Sequence, residues 1–179
     1  MSLLPFLADR IREAGFSCLR CGSCCRETEP GSNLVMVGHE EISDIMEHTG
    51  LSFGEIAEPY PDRILEGDLD YTFGWVLRRT GDRCRFLDES SCQIYPVRPW
   101  ICRTYPFMLD ENDLTIHPCE GTGQNTGSAD AENIAHDLCR RYAYEQEQDE
   151  KIWAIVRSGT IPAGKPVVID AEGIKDYHG

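Results

Sequence analysis

Lysine is almost missing from this chain: only Lys151, Lys165 and Lys175 occur among 179 residues, and acidic residues outnumber basic ones 31 to 17, for a net charge of −14. Phosphate backbones and anionic lipid surfaces both call for a basic footprint, so the expected partners include neither nucleic acid nor membrane. No stretch approaches the roughly 20 apolar residues that span a bilayer. Residues 1–16, MSLLPFLADRIREAGF, break their apolar run with Asp9, Arg10, Arg12 and Glu13 and offer no small-residue cleavage site, unlike a secretory signal. A cytoplasmic protein is expected.

Several catalytic signatures are missing too. The five histidines, His39, His48, His117, His136 and His178, are dispersed with no H-E-x-x-H pair, and no serine sits in a nucleophile elbow. The glycine-rich EGTGQNTG lacks the Lys-Ser/Thr of a P-loop and the spacing of a dinucleotide fingerprint, so it reads as a plain loop. The C-x3-C-x2-C run of radical SAM enzymes is absent as well.

What the chain has in excess is cysteine. There are nine, and an odd number cannot all pair in intramolecular disulfides. In a reducing compartment dense cysteine points to metal or redox chemistry. At this length one domain can bury roughly two-thirds of its unfolded surface, so the fold does not need metal merely to collapse.

The expected architecture is α+β: a small, irregular, metal-organised domain over residues 1–159 with short β-hairpins, several short helices and one long C-terminal helix, followed by an arm at 160–179. Leu4, Leu7 and Ile11 recur at helical spacing in 3–14, with Ser2 as cap and Gly15 as stop. LVMV at 34–37 reads as a short buried strand. HEEISDIMEHTG reads as a helix closed by Gly50, and Ser52 with Glu55 as a capping box opening another turn. Pro59 and Pro61 end that segment, and the acidic stretch through Asp70 reads as a surface connection. YTFGWVLRRT reads as a strand turning at Gly81–Asp82, and FMLDENDLTIH as a hairpin. A long helix is expected from Ala129 to Arg157, capped by Ser128 or Asp130 and ended by Gly159.

The most specific local signal is C-x2-C-x2-C-C, formed by Cys18, Cys21, Cys24 and Cys25. Two intervening residues let thiolates converge on one centre, and Gly22 lets the backbone turn its amides toward sulfur. Adjacent Cys24 and Cys25 point apart in most backbone geometries, so the doublet is expected to serve two sites. Cys84, Cys92, Cys102 and Cys119 add four more thiolates, making eight, enough for two four-cysteine sites. Cys139, inside the long helix, is the expected outsider, packed in the core. Pro96, Pro99 and Pro106 stiffen the chain around Cys102, while Arg98 and Arg103 can donate to carbonyls, carboxylates or cluster sulfur.

The run CRFLDESSCQIYPVRPWICRTYPF downstream of C-x2-C-x2-C-C resembles the YkgJ-type cysteine-cluster family, over roughly residues 16 to 125. The resemblance implies a zinc- or iron-chelating domain with the motif cysteines as ligands, and its relatives include a flagellin lysine methylase thought to carry an iron–sulfur cluster. Where that family continues C-P-G-x-G-x-G, this chain has Cys119-Glu120-Gly121-Thr122-Gly123, without the proline.

Eight thiolates favour soft or borderline metals: zinc, copper(I) or iron–sulfur clusters. The three-plus-one grouping resembles ferredoxin ligation of a 4Fe-4S cluster, and structural zinc fits the same count. The expected function is electron transfer or cluster handling beside a protein partner, either a redox partner or a larger complex. A structural zinc subunit and a methylase-like group-transfer enzyme are the alternatives.

Overall fold

The computed structural model describes residues 3–110 and 113–177, and its fold is α+β. The first helix, α1 (Leu3–Ala14), buries Leu7 and Ile11 completely, and Gly15 closes it at φ 67° with its N–H on the Ile11 carbonyl. The expected cap Ser2 lies outside the described residues. After the cysteine loop, only Met36–Val37 of the anticipated strand pairs, as β1. Helix α2 (His39–Thr49) opens on Gly38 and ends at Gly50 in the left-handed conformation. At α3 (Phe53–Ile56) the Glu55 carboxylate accepts from both the N–H and the hydroxyl of Ser52, at 2.8 and 2.6 Å.

Strand β2 (Ala57–Pro59) leads to a departure from expectation. The stretch up to Asp70 is a hairpin, β3 (Ile64–Glu66) and β4 (Leu69–Phe73), turning at Gly67 with φ 59°. All three β3 residues are exposed, so no alternation of burial marked the strand in sequence. Gly74 at φ 70° then breaks the anticipated long strand, giving β5 (Trp75–Leu77) and β6 (Arg79–Thr80).

Short pieces carry three of the four downstream cysteines: β7 (Arg83–Cys84) pairs with β6, β8 (Leu87–Asp88) pairs with β9 (Ser91–Cys92), and α4 (Trp100–Thr104) holds Cys102, while Cys119 lies between β11 and α5. The hairpin β10 (Phe107–Asp110) and β11 (Asp113–Ile116) follows; its tip, Glu111–Asn112, lies outside the described residues. The long helix α5 (Ser128–Ser158) starts one residue before the expected span, with Gly127 at the cap, and ends at Gly159 as expected. Residues 166–176 form β12 (Pro166–Asp170) and β13 (Gly173–Asp176).

The larger sheet runs β13-β12-β4-β3, with β12 parallel to β4, and the smaller runs β1-β5-β2. Three apolar clusters hold these parts together. Leu7 and Ile11 of α1 pack on Phe107, Leu114 and Leu138. Ile42, Ile45, Ile56, Trp75, Phe86 and Ile94 form a second cluster that includes Cys84, with Cys25 and Cys92 against its edge. Tyr71, Val167 and Ile169 of the larger sheet bury against Ile152, Ile155 and Val156 of α5. The terminal segment expected as an arm thus supplies an inner strand of that sheet.

Candidate metal centre

Cys18 to Cys25 lie on an irregular loop that is fastened at both ends. At its start, the Ser17 N–H donates to the Gly121 carbonyl (3.0 Å), Phe16 bridges Thr122, and the Thr126 hydroxyl donates to the Phe16 carbonyl (3.0 Å). A Cβ on Gly121 would stand 2.3 Å from the Ser17 carbonyl oxygen, so only glycine allows this approach. At its end, Arg26 bridges Arg83 and the Glu27 N–H donates to the Asp82 carbonyl (2.6 Å). The first attachment brings Cys18 and Cys21 toward Cys119. The second brings Cys25 toward Cys84.

The result is a cleft of about 870 Å3 lined by all eight of the expected cysteines, Cys18, Cys21, Cys24, Cys25, Cys84, Cys92, Cys102 and Cys119, and also by Arg98 and Arg103. Cys139 is not part of its lining; it packs half-buried against the α1–α5 cluster, and burial raises its thiol pKa. His117 stacks on Tyr105 at 6.4 Å and does not line the cleft. Among the described residues no three His, Cys, Asp or Glu side chains already close on one metal position.

Mutual electrostatics divide the ring. Burial first raises the Cys102 thiol, and the thiols of Cys84, Cys24 and Cys92 raise it further, with a smaller push from Glu41. Burial likewise raises Cys84 and Cys92. The hydrogen bond with Cys24 raises Cys25 most, followed by burial and then by the charges of Cys24, Cys102 and Cys84. Cys119 is raised by burial and by a different company, Cys21, Cys24 and Cys18. One set is therefore Cys25, Cys84, Cys92 and Cys102, the other Cys18, Cys21 and Cys119. Cys24 touches both.

The doublet does not diverge as adjacency suggested. Ser23–Cys25 form a single 3-10 turn that directs both thiols into the cleft, with the two Sγ atoms 4.0 Å apart. The shared hydrogen bond lowers Cys24 to about 7. In metal-free protein, alkylation of Cys24 should thus rise steeply as pH passes through about 7, well before that of Cys102. Peptide mapping after graded iodoacetamide treatment checks the order; simultaneous labelling of the two would contradict it.

The donor set fits a thiophilic metal. Backbone N–H groups two residues on, at Phe86, Ile94 and Gly121, hydrogen-bond to Cys84, Cys92 and Cys119 and lower their pKa, partly offsetting burial. Amides placed at sulfur favour the thiolate that a metal requires. Arg98 adds a positive charge that lowers Cys92; its Nη1–H donates to the Tyr95 carbonyl (2.7 Å) and its guanidinium lies 3.8 Å from the Tyr95 ring centre. Arg103 donates through Nε to the Arg98 carbonyl (2.8 Å).

Residues 17–128 match the CxxCxxCC family, described as a "Putative zinc- or iron-chelating domain". The chain belongs to this family. An uncharacterized protein of Methanocaldococcus jannaschii is 30% identical over 149 residues, covering 76% of this chain and 75% of that relative. No solved structure matches.

The matched CxxCxxCC span holds every cysteine of the cleft and ends at the first residue of α5. Two participants, Arg79 and Tyr105, escaped the sequence reading, whereas Arg20 stands out there by its place beside Cys21. Arg79 lowers Cys84 and pairs with Glu27 at 3.4 Å. Tyr105 lines the cleft, donates to the Pro118 carbonyl (2.7 Å), and feels Cys119, Cys24 and Cys21. Arg20 stacks on Tyr95 at 4.4 Å. Tyr95 and Tyr105 lie within the motif run, which was the available signal; Arg79 gave none.

Proposed function

We infer that the cleft holds metal in two four-thiolate centres, one from Cys25, Cys84, Cys92 and Cys102, the other from Cys18, Cys21, Cys24 and Cys119. The observation carrying this reading is that one cleft is lined by all eight thiols, with the start of the cysteine loop fastened beside Cys119 and its end beside Cys84. The occupant favoured is an iron–sulfur cluster, most simply 4Fe-4S, in support of which stands the C-x2-C-x2-C grouping with a remote fourth cysteine. When bound, such a cluster supplies one-electron chemistry. The chain's own part is to deliver thiolates, direct amides at sulfur, and place the Arg98 charge beside Cys92. The proposed role is electron transfer or cluster handling in the cytoplasm, with the acid-rich surface offered to a basic protein partner.

One observation favours zinc. The 4.0 Å between the Cys24 and Cys25 sulfurs is close to the edge of about 3.8 Å that Zn–S bonds of about 2.3 Å give a tetrahedron, a spacing that puts both thiolates on one ion in place of the division above. Anaerobic purification from iron-replete cells distinguishes the two. The expected product is brown, contains iron and sulfide, and loses its charge-transfer absorption under dithionite; a colourless protein with stoichiometric zinc would overturn the cluster reading.

A further inference from the structure

A second cavity, of about 480 Å3, has no part in the thiol cleft, although α4 serves both: Cys102 and Arg103 line the cleft, Trp100 and Ile101 this cavity. Its size is that of an ordinary small-molecule site. Trp75, Trp100, Tyr142, Met36 and Met108 give it aromatic and thioether walls.

Arg141 is the polar feature that the fold leaves incomplete. Its side chain is only 6% exposed. Nε–H donates to Glu145 (2.7 Å), and Nη1 donates to the buried Thr104 hydroxyl and to the Met108 sulfur, both at 3.0 Å. A guanidinium carries five N–H groups, and Nη2 holds two of them. Among the described residues Nη2 has no hydrogen-bond partner, and it is not among the polar atoms sealed from solvent. A buried guanidinium with an open donor pair on a cavity wall asks for an acceptor, best a carboxylate.

The same cavity is otherwise acidic. Glu41, Asp110, Glu145, Asp149, Asp170 and Glu172 line it against the single cation Arg141. Glu41 is satisfied by the N–H groups of Gly38 and Trp100, both at 2.8 Å, and Asp170 by the Trp75 indole, the Glu172 N–H and, at 3.3 Å, the Lys175 ammonium, which also pairs with Glu172 at 3.2 Å. Asp110 and Asp149 have no hydrogen-bond or ion-pair partner among the described residues. The negative field reaches Tyr144, whose hydroxyl is raised by burial and then by Glu41, Glu40, Glu147 and Glu172. A plain anion would meet this field unfavourably. A plain cation would leave the Arg141 donors unpaired and face its charge.

We propose that this cavity binds a small zwitterion of the α-amino-acid class with an apolar or aromatic chain, carboxylate on Arg141 Nη2, ammonium toward Glu145 and Asp149, and chain between the aromatic and thioether walls. This reaches beyond the metal reading and does not depend on it.

Calorimetric titration of the full, metal-loaded chain tests it with L-phenylalanine and L-methionine as probes. The controls are 2-phenylethylamine, which lacks the carboxylate, and 3-phenylpropanoate, which lacks the ammonium. At least one amino acid should bind, and each control at least about tenfold more weakly, because each forgoes a charge-assisted hydrogen bond. Asp149→Asn, on an exposed position of α5, should weaken the amino acid about tenfold, leave 3-phenylpropanoate unchanged and keep the metal content intact. Arg141→Lys should abolish the preference over 2-phenylethylamine; if that variant does not fold, the control ligands and Asp149→Asn still decide. No binding of either amino acid at millimolar concentration, an amine binding as tightly as the amino acid, or an unaffected Asp149→Asn would overturn the proposal.

Discussion

Cys102→Ser should lower metal affinity at least about a hundredfold, or about 2.7 kcal/mol, because the loss of an outer partner alone costs up to that factor and a ligand costs more. Serine nearly matches cysteine in volume but offers a hard oxygen in place of a soft thiolate, so the defect falls on the metal. The thiol is strongly desolvated beside Cys84, Cys24 and Cys92, and α4 holds it through the Cys102 N–H bond to the Pro99 carbonyl (2.9 Å). Metal binding free energy is also folding free energy, so the variant should melt earlier. Cys139→Ser, outside the cleft, should keep its full complement. The check is metal analysis after dialysis against a chelator, in which full retention by Cys102→Ser would remove Cys102 from the ligand set.

Gly121→Ala should halve the metal content. Its Cβ would lie 2.3 Å from the Ser17 carbonyl oxygen, a backbone atom with no rotamer to yield, and the Ser17 N–H bond to Gly121 holds the two segments side by side. Relieving the clash parts Cys119 from Cys18 and Cys21, at a cost of about 1–3 kcal/mol for such overpacking. The set containing Cys25, Cys84, Cys92 and Cys102 is fastened elsewhere, through Arg26 and Glu27, and should stay loaded. Gly54→Ala on α3 is the matched control, since nothing lies within 4 Å of its added carbon. Metal-to-protein ratios and urea denaturation read both effects. Full loading of Gly121→Ala would show that the two sets are not separate.

Local chemistry made much of this structure legible. Helices α2 and α5 announce themselves by period and by Gly50 and Gly159, and the β10–β11 hairpin by two apolar runs around Asp and Asn. Exposed β3 carried no such signal. Nor did β12: Val167, Val168 and Ile169 form a short apolar run whose parallel partner, Thr72 with its neighbours, lies far away in sequence. The eight thiols could be counted, but their grouping depends on bridges from Phe16 to Thr122 and from Arg26 to Arg83, which join segments distant along the chain. The 3-10 turn that aims Cys24 and Cys25 into one cleft is a backbone detail that adjacency concealed.

The parallel pairing of β12 with β4 also orders events during synthesis. Asp70 pairs with Pro166, about a hundred residues later, so at about 5–20 residues per second β4 waits several seconds for its neighbour on the ribosome. During that interval one edge of β4 is open, a hazard for pairing with other nascent chains. The cysteine segment through Cys119 is already complete by then. Metal capture can accordingly precede closure of the larger sheet.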